Sequence, residues 1–139
     1  MPAQYSVSQL SHSQWTAQTG APTGIVNMAQ TIDGFLWLAT SGGLFRFDGV
    51  GFERFIGTEN VPMLSQNIFT LHSTADGDLW IGHYFGGISQ LHNGRLVNYG
   101  REQGLSPGFV MAFAKTPDGT IWAGTTRGLF QLEGQQWHP

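Results

Sequence analysis

Apolar positions in this chain come in short runs. Each run is closed by a glycine-bearing turn before it reaches the roughly 10 to 12 residues that a helix usually needs. From Ile25 onward four such runs follow one another: "IVNMAQT", "FLWLAT", "GLFRFD" and "FERFI". Each reads as a strand, and the four are called A to D in that order. The same order returns as "NIFTLHST", "DLWIGH", "GISQLH" and "RLVNY", then as "FVMAFAK", "TIWAGT", "GLFQLE" and a stub at "QQWH". Asp-Gly pairs beginning at Asp33, Asp76 and Asp118 join A to B. A type I′ turn is expected at each, because glycine and Asp tolerate positive φ.

The copies are in register. Trp37, Trp80 and Trp122 stand 43 and 42 residues apart, and Asp33, Asp76 and Asp118 keep the same spacing. A period near 42 falls in the range of four-stranded propeller blades. The chain is therefore expected to be all-β, a β-propeller segment over 1–139. About three four-stranded antiparallel blades are placed at 25–56, 67–99 and 109–138. A shift of 84 residues aligns Trp15 with Tyr99 and Gly20 with Gly104, so 5–16 reads as strand D of a preceding blade. The three tryptophans are expected to fill the gaps between stacked blades, each burying about 150–250 Å²; an aromatic cage is the rival reading. The three aspartates, one per hairpin tip, are expected to be turn-formers too far apart to share a proton or a metal.

The residues from Asp33 to Gly49, Asp76 to Gly94 and Asp118 to Gly134 resemble the two-component regulator propeller repeats. That pattern runs from an aliphatic strand through Asp-Gly, Trp-Ile-Gly-Thr and a glycine turn to Gly-Leu and a closing Asp-Gly. The resemblance implies a non-enzymatic sensor domain in signal transduction, periplasmic or otherwise extracytoplasmic in its parent. In such parents the propeller lies ahead of a membrane span and a kinase, a diguanylate cyclase or a DNA-binding output. Sialidase-type Asp-boxes are set aside, because they keep one residue between Asp and Gly, whereas here the two are adjacent in all three copies.

Composition narrows the partners. Charged residues make up only 11% and the net charge is -3, which argues against a nucleic-acid backbone as partner. Basic residues stand singly, with no polybasic run toward a membrane surface. No apolar stretch is long enough to span a bilayer. The N-terminus lacks the basic flank and apolar core of a signal peptide. With no cysteine there are no disulfides and no thiolate chemistry.

Closed propellers have roughly 4 to 8 blades, and an arc of three leaves two apolar faces open. Head-to-tail self-association is expected, a dimer giving six blades; the remaining blades of a longer parent are the other way to cover them. The D–A and B–C loops gather on one face around the channel, and by resemblance a ligand would bind there. Where the repeat carries a threonine, the second blade has His83, followed by one extra residue. His83, Tyr84 and Phe85 form a polar-aromatic cluster on an exposed loop, suited to stacking a sugar or an aromatic small molecule. Arg127 is a candidate for a carboxylate. No cofactor and no metal site are expected, since the five histidines show no ligand spacing such as HxH or HExxH. His72, on a strand A, is placed toward the channel. Two other readings stay open: a propeller lyase with a His and a metal at the channel, and a structural, self-assembling fragment with no ligand.

Overall fold

The computed structural model describes Thr16 and residues 20–139. The strand expected over 5–16 lies outside them, apart from Thr16. The described residues form three four-stranded antiparallel sheets and one two-stranded ribbon. The first sheet is β1 (Ile25–Gln30), β2 (Leu36–Thr40), β3 (Gly43–Phe47) and β4 (Phe52–Phe55), paired in chain order. The ribbon follows as β5 (Gly57–Thr58) and β6 (Val61–Pro62), within a connection the sequence reads as plain loop. The second sheet is β7 (Ile68–Ser73), β8 (Leu79–His83), β9 (Ile88–His92) and β10 (Arg95–Tyr99). The third is β11 (Val110–Lys115), β12 (Ile121–Thr125), β13 (Gly128–Glu133) and β14 (Gln136–His138). These are blades. Their A strands, β1, β7 and β11, lie side by side, as the inner strands of a propeller must.

The A–B hairpins are not type I′ turns. Among the described residues Asn93 alone, apart from glycines, has positive φ, so the three aspartates keep ordinary backbone. The peptide N–H of Gly34 donates to the carbonyl of Thr31 (2.9 Å), and Thr31 N–H donates to Phe35 O (3.1 Å). That makes a three-residue loop in which the third residue, Gly34 at φ 96°, takes the left-handed position. The same bonds recur at Thr74 and Thr116, with Gly77 and Gly119 at φ 97° and 89°. The motif is therefore Thr-x-Asp-Gly, and the threonine is essential to it. Thr31 Oγ1 donates to Asp33 Oδ1 (2.5 Å) and accepts from the indole N–H of Trp37 (3.0 Å). Thr116 joins Asp118 (2.6 Å) to Trp122 (3.1 Å) in the same way. Blade two departs from this: Thr74 holds Asp76 and the N–H of Asp78, and the Trp80 indole has no partner.

Each A–B pair also slips register once, between Ile25 and Asn27, Ile68 and Thr70, and Val110 and Ala112. The slip is a bulge, and it takes Val26, Phe69 and Met111 out of the alternation of their strands. Two apolar seams hold the blades together. Trp37, Ala39 and Leu44 of blade one pack with Ile68, Leu71, Leu79 and Ile81 of blade two. Trp80, Ile88 and Tyr99 of blade two pack with Val110, Ile121, Phe130 and Trp137 of blade three. Close approach at the second seam requires Gly82, where a Cβ would meet Thr70 Cγ2 at 2.5 Å and Val110 Cβ at 3.0 Å. Trp37 and Trp80 thus fill gaps between blades as expected. Trp122 is only half-buried, and it belongs to neither seam formed by the described residues.

Replacing Thr31 by Val keeps the shape but strands the buried Trp37 N–H and frees Asp33, a loss of about 1–3 kcal/mol. Chemical denaturation of the Thr31→Val variant should show that drop; an unchanged midpoint would mean the threonine link contributes nothing.

Candidate functional site

The B–C loops and the D–A connections meet at one end of the blades, and the Thr-x-Asp-Gly tips lie at the other. At the first end, blade two stands out. Its B–C loop is one residue longer than those of its neighbours, and Gly86 and Gly87 both take positive φ, 103° and 94°. A Cβ on Gly86 would meet Gly108 O at 3.1 Å, and one on Gly87 would meet Leu64 Cδ1 at 2.7 Å. Only glycines let this loop lie flat on the two D–A connections beside it.

The structure separates the expected cluster into two layers. His83 is the last residue of β8 and is 0% exposed, so it lies beneath the loop and not on its surface. Its Nε2 is 2.8 Å from Ser89 Oγ, Ser89 Oγ donates to Asn98 Oδ1 (2.6 Å), and Asn98 Nδ2 donates to Pro62 O (2.9 Å). Since the Ser89 proton goes to Asn98, the imidazole must donate from Nε2. That leaves Nδ1 to accept from Ser65 Oγ, 3.3 Å away. Burial pushes the pKa of His83 down to about 4, and a hydrogen bond with the Ser65 backbone offsets only part of this. The residue is a neutral strut that ties the connection from blade one, at Pro62 and Ser65, to strands β9 and β10 of blade two. An apolar run ending in an unmatched histidine was the visible signal; its three polar partners, Ser65 in a connection and Ser89 and Asn98 on other strands, were not.

Tyr84 and Phe85 form the upper layer. The Tyr84 ring stacks on Phe109 (centroids 4.9 Å apart, planes 12°), and Phe69, turned out by its bulge, meets Phe109 edge-on at 5.3 Å. Phe85 touches Tyr84 edge-on (5.4 Å) and is otherwise 74% exposed. Arg127 is exposed on the neighbouring B–C loop, and its Cγ would lie 3.2 Å from a Cβ on Gly108, the glycine that Gly86 rests against. Tyr84, Phe85 and Arg127 are thus brought to one end of the molecule, with Gly108 between them. Phe69 and Phe109 belong to the same aromatic patch, which the sequence alone did not disclose.

At the opposite end, Asp33 and Asp76 line one cleft of about 220 Å³ between the first two blades. Their oxygens are engaged. Asp33 Oδ1 takes Thr31 Oγ1 and the Phe35 N–H, while Asp76 takes Thr74 and, at 3.4 Å, Lys115. The Thr74 hydroxyl bond holds Asp76 below the ordinary carboxylate range, and Thr116 does the same for Asp118. His72 is half-buried opposite Trp80, and burial, with Lys115 nearby, lowers its pKa. No three His, Cys, Asp or Glu side chains among the described residues converge as metal ligands do.

Because the folded-state pKa of His83 lies below its unfolded value, stability is full above about pH 6.5 and falls as pH drops toward 4. The loss is about 3 kcal/mol across that window. Proton NMR should find the His83 imidazole untitrated from pH 8 down to 5; a midpoint near 6.5 would mean the ring is not sealed.

Residues 104–127 match the family model for the two-component regulator propeller. No curated protein sequence matches the chain. Among solved structures, the extracellular domain of a hybrid two-component system protein from B. thetaiotaomicron superposes with a TM-score of 0.79 at 19% identity. That match covers 91% of this chain and 20% of that one. Virginiamycin B lyase from Staphylococcus aureus superposes with a TM-score of 0.66 at 15% identity, covering 86% of this chain and 42% of the lyase. A streptogramin B lyase gives 0.63 at 18%, covering 84% and 40%. The chain thus spans a fifth of the sensor domain and about two fifths of either lyase, and at these identities the likeness is one of fold. The chain is a β-propeller segment that carries the two-component regulator propeller repeat, matched at residues 104–127 in its third blade.

Proposed function

We propose that this chain is a three-blade segment of the extracytoplasmic sensor propeller of a two-component signalling protein, and that it binds its ligand without transforming it. The carrying observation is the state of the loop end. The histidine there is buried with both ring nitrogens occupied, while the surface it supports offers aromatic rings and arginines. That is a surface for recognition, where a lyase needs an accessible base. The repeat match and the extracellular sensor fold support the same reading. The ligand expected there is a small molecule or glycan.

The end faces carry a second part of the proposal: further blades of this kind cover them, supplied in the isolated chain by a second copy arranged head to tail. Leu44 and Ile88 are 0% exposed because the next blade lies on them, yet Leu129, at the equivalent place in blade three, is 58% exposed. At the other end Ile25 is 42% exposed, whereas its equivalents Ile68 and Val110 are 1% exposed. Each end shows the half of a seam that the other lacks.

Light scattering behind gel filtration should report a dimer for the wild-type chain and a monomer for Leu129→Asp. Val50→Asp, on an exposed turn away from either end face, should leave the dimer intact. A wild-type chain that stays monomeric at 100 µM or above would overturn the self-association. Linearisation of a type B streptogramin in the presence of a divalent cation would establish the lyase reading in place of the sensor.

A further inference from the structure

Beside the Tyr84–Phe85 loop lies a cleft of about 400 Å³, between the B–C loop of blade two and the connections on either side of that blade. Its size is within the usual range for small-molecule sites, about 300–1,000 Å³. Leu64 and Phe85 form one lip, and Leu105 and Pro107 line the cleft from the D–A connection. Leu105 is fully embedded in the second seam, so that wall is rigid. Arg101, on a short 3-10 turn over Arg101–Gln103, borders the same cleft and has no ion pair among the described residues. Glu102 follows it in sequence but does not line the cleft.

Polar chemistry inside the cleft is sparse. Of the two serine hydroxyls that line it, Ser65 is committed to His83 Nδ1, which leaves Ser106. A polyhydroxylated ligand would find too few partners and would strand its own hydroxyls on apolar walls. A phosphate ester would ask for more donors than a single guanidinium supplies. What fits apolar walls beneath an exposed phenyl ring, with one unpaired guanidinium at the edge, is a flat apolar body bearing one carboxylate. Arginine pairs with a carboxylate through two parallel N–H donors, and Phe85 can stack or cover an aromatic ring.

We infer that this cleft is the ligand site of the sensor face and that it takes a small aromatic carboxylate, with Arg101 binding the carboxylate and Phe85 folding over the ring. This rests on the sensor reading and names the ligand class for it. Phe85 has room to move, because it is 74% exposed, its one aromatic partner among the described residues is Tyr84, and the loop behind it is carried by the Gly86–Gly87 pair. The sealed His83 network anchors that loop from below, so closure involves the tip alone.

The test uses the whole chain with 2-naphthoate and its uncharged isostere 2-naphthamide as probes, followed by calorimetry and by ¹H–¹⁵N NMR. Naphthoate is expected to saturate one site per chain and to shift the amides of Phe85, Gly86, Gly87 and Arg101. The amide should bind about tenfold more weakly or worse, the usual worth of a charge-assisted pair. Arg101→Gln should abolish the preference for the acid while leaving the amide within about twofold, and Phe85→Ala should weaken both alike. Both positions are exposed, so neither variant endangers the fold. Equal affinity for acid and amide, absence of saturable shifts, or an acid preference that survives Arg101→Gln would overturn the assignment. A sugar that shifted the Phe85 amide where naphthoate did not would remove the ligand class yet leave the sensor reading standing; streptogramin turnover would remove the sensor reading itself.

Discussion

Every feature of this molecule depends on sheets that must be covered on both faces. A four-stranded blade with Trp, Leu and Ile on one side and Ile, Leu and Phe on the other cannot rest against water. Burying one such aliphatic side chain contributes about 1.5–3 kcal/mol, and a single seam contains several. Blade two shows the satisfied condition: Ile88 and Ile81 face opposite neighbours and both are fully enclosed. The seams also explain why glycine stands at Gly82, where no side chain would leave room for the next blade.

The packing constraint sets the period, and the hairpin chemistry keeps it. In blades one and three a threonine hydroxyl joins the turn aspartate to the strand-B tryptophan, and in blade one, where Trp37 lies in a seam, the local turn and the long-range contact are fixed by the same atom. In blade two the link is broken, and Asp78 is held instead by Gln90 at 2.8 Å and by His92. Tyr99 donates to the same Gln90 (3.0 Å), so a buried carboxylate network takes over the anchoring in that blade.

How much of this was legible in the sequence follows from what repeats. The three sheets and the burial of Trp37 and Trp80 could be read because Asp, Gly and Trp recur at fixed spacing, and that spacing is the mark of a stacked unit. The turn type could not. Gly34 announces a left-handed residue, but only the hydrogen bonds of Thr31 show that the turn begins three residues earlier. The loop end was half legible. The extra residue after His83 marks a departure, whereas the depth of His83 is set by Ser65, Ser89 and Asn98, which follow no spacing. Phe69 was hidden for a related reason: alternation assigns it a side of the strand, and the bulge then turns it elsewhere.

That bulge recurs at the same place in all three innermost strands, with Val26, Phe69 and Met111 as the displaced residues. All three are apolar but differ in size and shape, and the blade's own packing does not fix which side chain stands there, since the slip frees each from the seams. The propeller therefore keeps one unconstrained address per blade on the strands nearest its axis. Around a closed ring the bore would be furnished one side chain at a time, and the inventory of that bore can be taken from any stretch of the repeat by counting 42 or 43 residues from one displaced position to the next.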